Sequence, residues 1–153
     1  MNQAVNNFLY RKKLLRLWTS KQKNSKSILT VEDILFEGLK NNDDIFDGKF
    51  GQTLVSVLHP GIVKGWHRHW KQTDYTLCAK GKLKYCISDG KEVKCFIIGE
   101  DNPMLIKTPP GLWHGYKAVD GEAIIFHVMD KAYNPKNEDT ERLDPDAFGD
   151  VWN

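Results

Sequence analysis

The sequence has no apolar run near the roughly 18 residues that a membrane-spanning helix needs. It also has no uninterrupted apolar segment ahead of a small-residue cleavage site at its N-terminus. The expectation is a soluble, intracellular protein located in the cytoplasm. Cysteine is scarce. Cys78, Cys86 and Cys95 are odd in number and too widely spaced for a zinc knuckle or a thioredoxin-like pair, so reduced thiols buried on strands are expected. Acidic residues are missing from the start of the chain: Arg11, Lys12, Lys13, Arg16, Lys21, Lys23 and Lys26 all precede the first acid, Glu32. The net charge of +2, from 22 basic and 20 acidic residues, therefore joins a basic leader to an acidic body. A whole-chain value of that sign suggests a polyanionic partner, but the distribution removes the suggestion, and neither nucleic acid nor membrane is expected as a partner. With 153 residues, 41% of them hydrophobic, the chain can enclose one core, which excludes general disorder, collagen and a disulfide scaffold.

What is present divides into two textures. Within residues 1–30, the segment FLYRKKLLRLW places Phe8, Leu14, Leu15 and Trp18 near one face of a short helix, and SKQKNSKS follows as a polar linker. We read that helix as packing on its own domain or on a partner subunit. Residues 31–153 form one domain. From about Gly51 onward, short runs rich in β-branched and aromatic residues alternate with turn signals: Lys80-Gly81, Asp89-Gly90, and a Gly-Glu-Asp-Asn-Pro run before MLIKT. Leu83, Tyr85 and Ile87 alternate with Lys84, Cys86 and Ser88, giving one apolar and one mixed face. The fold class expected is all-β, a small barrel or jelly roll that removes its sheet edges by closing on itself. The acidic tail ends in Phe148, Val151 and Trp152, which are expected to dock on that barrel.

The histidines carry the chemistry. His67 and His69 lie two apart, so on a strand both rings point to one face. His114 follows a Pro109-Pro110-Gly111 turn, and His127 sits in the apolar strand AIIFHVM. Taken together in one barrel, they point to a shared site.

The segment Gly61 to Gly81, with His67-x-His69 and Asp74, resembles the first cupin motif, and PPGLWH (109–114) resembles the second. Within cupins the sequence is most similar to the dTDP-4-dehydrorhamnose 3,5-epimerase (RmlC-like) family, through FGQTLVSV, GIVKGWHRHWKQTD, IKTPPGLWHGY, AYNP and DPDAFGDVW in that order. The resemblance implies a nucleotide-sugar epimerase acting on a dTDP-4-keto-6-deoxy sugar in polysaccharide or deoxysugar biosynthesis. His67 stands at the catalytic base, and His127 replaces the family's tyrosine acid, donating in its charged form. Asp74 replaces a lysine and substitutes for the carboxylate that orients the base. Gln52, Lys64, His69, His114, Tyr133 and Glu138 fall at or beside substrate-binding positions, with Lys64 where the family has arginine. The implied enzyme is a homodimer without a cofactor. Three alternatives stay open: a sugar 3,4-ketoisomerase, a non-catalytic sugar-binding cupin, and a metal cupin holding a divalent transition metal through His67, His69, Asp74 and His114.

Overall fold

A computed structural model describes residues 37–153 in full and, before them, the backbone of residues 22–24, 27–29 and 34–36. The expected leader helix lies outside the described residues. The elements are β1 (Gln22–Asn24), β2 (Ser27–Leu29), β3 (Ile34–Phe36), β4 (Gln52–Leu58), β5 (Val63–His69), β6 (Asp74–Lys80), β7 (Lys82–Ser88), β8 (Val93–Gly99), β9 (Met104–Thr108), β10 (Trp113–Ala118), β11 (Ala123–Met129) and β12 (Thr140–Arg142). All pairings are antiparallel. One sheet runs β1-β9-β6-β11-β4 and faces a second, β12-β5-β10-β7-β8, while β2 and β3 pair separately. This is the all-β jelly roll that the strand texture predicts. Among the described residues no helix is long and apolar enough to cross a membrane.

Between the sheets, alternate residues of each strand meet. Leu58, Cys78, Leu83, Tyr85, Ile87, Ile98, Ile106 and Ile125 are buried in one cluster that fills one end of the interior. Part of the outer face of each sheet is covered as well. Ile45, with Leu39 and Phe46, packs on Tyr75, Leu77, Leu105 and Val128 outside the first sheet. The C-terminal tail docks outside the second, as expected. Trp152 joins Trp66, Cys86 and Trp113, with Phe148 and Val151 against them, and the indole nitrogens of Trp66 and Trp152 both donate to the carbonyl of Pro145.

One local reading is refined and two are corrected. First, the two Gly turns differ in kind. Asp89-Gly90 closes a true hairpin, with Ser88 opposite Val93, whereas Lys80-Gly81 carries the chain from one sheet to the other, so β6 and β7 do not pair. At that crossing Gly81 has φ +76, and a Cβ there would lie 2.4 Å from the carbonyl oxygen of Glu122. No other residue fits without displacement. Second, the hairpin register sets Cys86 opposite Cys95, and the two form a disulfide; only Cys78 is a free, buried thiol. Third, the polar linker contributes β1, which joins the first sheet beside β9. A sheet edge accepts such a strand through backbone hydrogen bonds, which need no side-chain alternation.

Candidate active site

At the end of the interior opposite the apolar cluster, an open cavity of about 930 Å³ is lined by all nine residues singled out from the sequence: Gln52, Lys64, His67, His69, Asp74, His114, Tyr133, Glu138 and His127. Each arrives by strand geometry. His67 and His69 share the inner face of β5, and His114 on β10 pairs directly with His67. Lys64 should point outward by simple alternation, since it lies three residues from His67. A register shift between His114 and Tyr116 instead pairs Tyr116 with Lys64, so one extra residue around Gly65-Trp66 returns Lys64 to the inner side. The same shift leaves Trp66 and Val63 on the outer face under the tail.

Asp74, the first residue of β6, organises the histidines. Its Oδ2 lies 3.2 Å from His114 Nε2 and 3.6 Å from His69 Nε2, and Gln72 Nε2 donates to its Oδ1 at 2.7 Å. Burial alone would raise this carboxyl, but the His114 hydrogen bond and the charges of the neighbouring imidazoles outweigh it and hold the pKa at about 2. Asp74 is thus a buried, ionised carboxylate. His114 faces oxygen atoms through both nitrogens, Asp74 on one side and the Leu112 carbonyl at 3.3 Å on the other. His69 Nδ1 meets Thr140 Oγ1 at 3.2 Å and the Asp139 carbonyl at 3.3 Å.

His67 is held differently. Its ring lies 4.0 Å from that of His114, centroid to centroid. Burial pushes its pKa well below the ordinary value and the charge of His114 adds to this, against the opposing pull of Asp74. The ring is therefore neutral at physiological pH and able to accept a proton, while the Asp74 charge stabilises the imidazolium that results. The expectation that Asp74 orients the base is refined here. Its hydrogen bonds go to His114 and Gln72, and it acts on His67 through charge.

His127 stands on the other sheet. Its Nε2 is 3.3 Å from Ser56 Oγ and its Nδ1 is 3.2 Å from Thr76 Oγ1, so both nitrogens are occupied by hydroxyls. Burial lowers its pKa to about 4; Asp74 opposes the shift, while His114 and Lys64 reinforce it. At neutral pH this ring is uncharged, and any proton it passes moves through hydroxyl partners rather than from a standing imidazolium.

The cavity mouth is polar. Gln52 accepts from the backbone N–H of Tyr133 at 3.0 Å, which leaves the Tyr133 ring 59% exposed at the rim. Glu138 is ion-paired with Arg142, so its carboxylate is already engaged. Lys71, Lys131 and Arg142 add positive charge at the mouth, and Tyr116 lines the wall below the histidines. None of these four was singled out from the sequence, although Tyr116 lies two residues after His114 on the same strand and so on the same face.

Comparisons with known proteins follow this geometry. Residues 34–141 match the model of the family described as "Polysaccharide biosynthesis C-terminal domain". The chain belongs to this family. It is 31% identical over 130 residues to the "Probable low-salt glycan biosynthesis epimerase Agl13" of Haloferax volcanii, covering 78% of this chain and 83% of that protein. It is also 31% identical over 128 residues to the "Spore coat polysaccharide biosynthesis protein SpsL" of Bacillus subtilis, covering 77% and 85%. Among solved structures, a dTDP sugar isomerase from Desulfovibrio desulfuricans superimposes with a TM-score of 0.76 at 24% identity, covering 83% of this chain and 85% of that one. The rmlC epimerase of Mycobacterium tuberculosis does so with a TM-score of 0.74 at 18% identity, covering 86% and 72%. The fold is that of the RmlC-like cupins, as the motif spacing implies.

Proposed function

We propose that this family member is a nucleotide-sugar epimerase that inverts a carbon next to the C4 ketone of a dTDP-4-keto-6-deoxy sugar. The observation that carries the reading is His67: a neutral imidazole at the inner end of a sugar-sized cavity, beside an ionised, buried Asp74. A proton α to a ketone is acidic enough for such a base when the enolate oxygen is stabilised. Lys64, turned inward by the bulge, supplies that positive side. Lys71, Lys131 and Arg142 at the mouth suit the diphosphate, and the exposed Tyr133 ring suits the base. The names of the relatives, a glycan biosynthesis epimerase and a dTDP sugar isomerase, agree with this class of chemistry. The working unit proposed is a homodimer, since edge strand β4 exposes Val55 at 66% and Val57 at 51%. The test is incubation with dTDP-4-keto-6-deoxyglucose and assignment of the product by NMR. A product inverted at C3, C5 or both supports the reading, a 3-keto product assigns a ketoisomerase instead, and unchanged substrate contradicts catalysis on this sugar.

One observation favours a second reading. Ligand atoms of His67, His69, Asp74 and His114 all lie within 4.8 Å of one another, and three imidazoles with one carboxylate form a donor set that fits a divalent first-row metal. When bound, such an ion would polarise a carbonyl oxygen as a Lewis acid. Elemental analysis of protein purified without chelator decides between the two: stoichiometric metal supports this second reading, and substoichiometric metal removes it.

A further inference from the structure

His69 is held by β12, a three-residue strand at the edge of the second sheet. β12 pairs with β5, setting Thr140 opposite His69 and Glu141 opposite Arg68. Neighbouring residues of a strand face opposite ways, so the two pairs work on opposite faces of the sheet. On the outer face Arg68 bonds Glu141 at 2.7 and 2.6 Å, and its guanidinium lies between two indoles, 4.0 Å from the Trp70 ring and 4.3 Å from that of Trp113. This clamp keeps β12 in register. On the inner face, Thr140 Oγ1 stands 3.2 Å and the Asp139 carbonyl 3.3 Å from His69 Nδ1. The Asp139 carboxylate accepts from the backbone N–H of Lys71 at 2.7 Å, which fixes where that carbonyl points.

These contacts decide where the ring carries its hydrogen. A carbonyl oxygen only accepts, so the bond to Asp139 requires N–H at Nδ1. The other nitrogen, Nε2, lies 3.6 Å from Asp74 Oδ2, too far for a hydrogen bond, and Asp74 is already engaged by Gln72 through Oδ1 and by His114 through Oδ2. Burial lowers the pKa of His69 against the opposing pull of Asp74, so the ring at neutral pH holds a single hydrogen. Placed on Nδ1, that hydrogen leaves Nε2 as a bare lone pair beside a carboxylate oxygen on the cavity wall. Two acceptors so placed are satisfied together by a donor that enters from the cavity.

We propose that Asp139 is a positioning residue that locks His69 with its hydrogen on Nδ1, and that His69 Nε2 and Asp74 Oδ2 together receive a sugar hydroxyl as donor. The hydroxyl subsite rests on the epimerase reading, whereas the lock stands on the fold alone. His69 thus binds by accepting, and stabilisation of the enolate oxygen, which needs a positive or donating group, falls to Lys64.

Nitrogen-15 NMR of the full chain reads the tautomer, the His69 signals being those lost in His69→Gln. The expected spectrum without substrate has hydrogen on Nδ1 and none on Nε2, and Nε2 moves upfield on saturation with dTDP-4-keto-6-deoxyglucose. Hydrogen on Nε2 overturns the proposal. An Nε2 signal unmoved by a sugar that the protein turns over removes the hydroxyl subsite, and stoichiometric metal in the same sample overturns it in favour of a coordinated nitrogen. Asp139→Ala, which frees the carbonyl, is expected to mix the two tautomers and raise KM about 5- to 10-fold with kcat within a few-fold of wild type, and Asp139→Asn, which keeps the acceptor, to restore both. Wild-type tautomer and KM in Asp139→Ala overturn the positioning role. If that variant does not fold, Thr140→Val leaves the carbonyl as the partner of Nδ1: retained Nδ1–H supports the lock, and its loss overturns it. Absence of turnover in the wild type brings down the epimerase reading and the hydroxyl subsite with it, while the lock is still judged by the substrate-free spectrum.

Discussion

The two ends of the barrel interior are built by the same strands and do opposite things. β6 begins with Asp74 and Thr76 and reaches Cys78; β10 begins with His114 and Tyr116 and reaches Ala118; β11 runs the other way, from Ala123 and Ile125 to His127. At one end Leu83, Ile98, Ala123 and Ile125 are fully buried within the main core cluster. At the other, an ionised carboxylate and four imidazoles share a cavity. Alternation along a strand decides which residues face inward, but position along the strand decides which chemistry they meet. Stability and function are thereby separated by distance rather than by domain. The apolar end fixes the strands, and the polar end, which would be costly to bury without partners, is held by hydrogen bonds and left open to solvent at its mouth.

This contrast can be broken from either end. The largest effect is expected at the polar end: His67→Ala should lower the catalytic rate by about 10² to 10⁴ while melting changes little, because a base is lost from an already open cavity. A variant whose activity survives would place the base elsewhere. At the apolar end, Ile125→Ala should cost about 2–5 kcal/mol in chemical denaturation and leave the turnover of the folded fraction near wild type, since the lost methyl groups touch the core and not the cavity. A drop in turnover per folded molecule would show that the two ends are coupled.

Acid should act on the polar end through two groups, His127 and Asp74. His127 titrates near 4 in the folded chain and near 6.5 in the unfolded one, so the unfolded state binds more protons between those values. Stability is fully present above about pH 6.5 and falls as the pH drops toward 4, by on the order of 3 kcal/mol from this ring. Urea melts across that window should show the fall in wild type and a shallower one in His127→Gln; equal slopes would contradict the burial of this imidazole as a neutral ring. Asp74 contributes a second, lower window. Its pKa is depressed to about 2, so its stabilisation is present above about pH 4 and disappears as the pH falls toward 2. The smallest effect belongs to the rim, where Tyr133→Ala should weaken substrate binding by about 0.5–1.5 kcal/mol, read as a few-fold rise in KM with kcat unchanged. A change in kcat would move Tyr133 from binding to chemistry.

How much of this was legible before the coordinates depends on the range of the signal. The inner faces of β5 and β7, the presentation of His114 after Pro109-Pro110-Gly111, and the docking of Trp152 follow from alternation, turn chemistry and apolar content, all local signals. The inward turn of Lys64 was reached through resemblance, and its cause, one bulged residue, has no sequence mark apart from Gly65. The crossing at Lys80-Gly81 reads like a hairpin because a tight turn is the same over two residues whichever sheet receives the next strand. The Cys86–Cys95 disulfide was hidden by loop length: a two-residue Asp89-Gly90 turn would set Cys86 opposite Val93, whereas the loop spans residues 89–92 and pairs Cys86 with Cys95.

The central claim is that His67, neutral and facing the cavity, removes a proton from carbon. Its most direct test is exchange of substrate hydrogen with solvent, followed by NMR in D2O with dTDP-4-keto-6-deoxyglucose, for wild type and His67→Ala side by side. Deuterium appearing at C3 or C5 with wild type, and slowed by about 10² or more with the variant, is the predicted result. Exchange that proceeds undiminished in His67→Ala, or none at all with wild type, would contradict it.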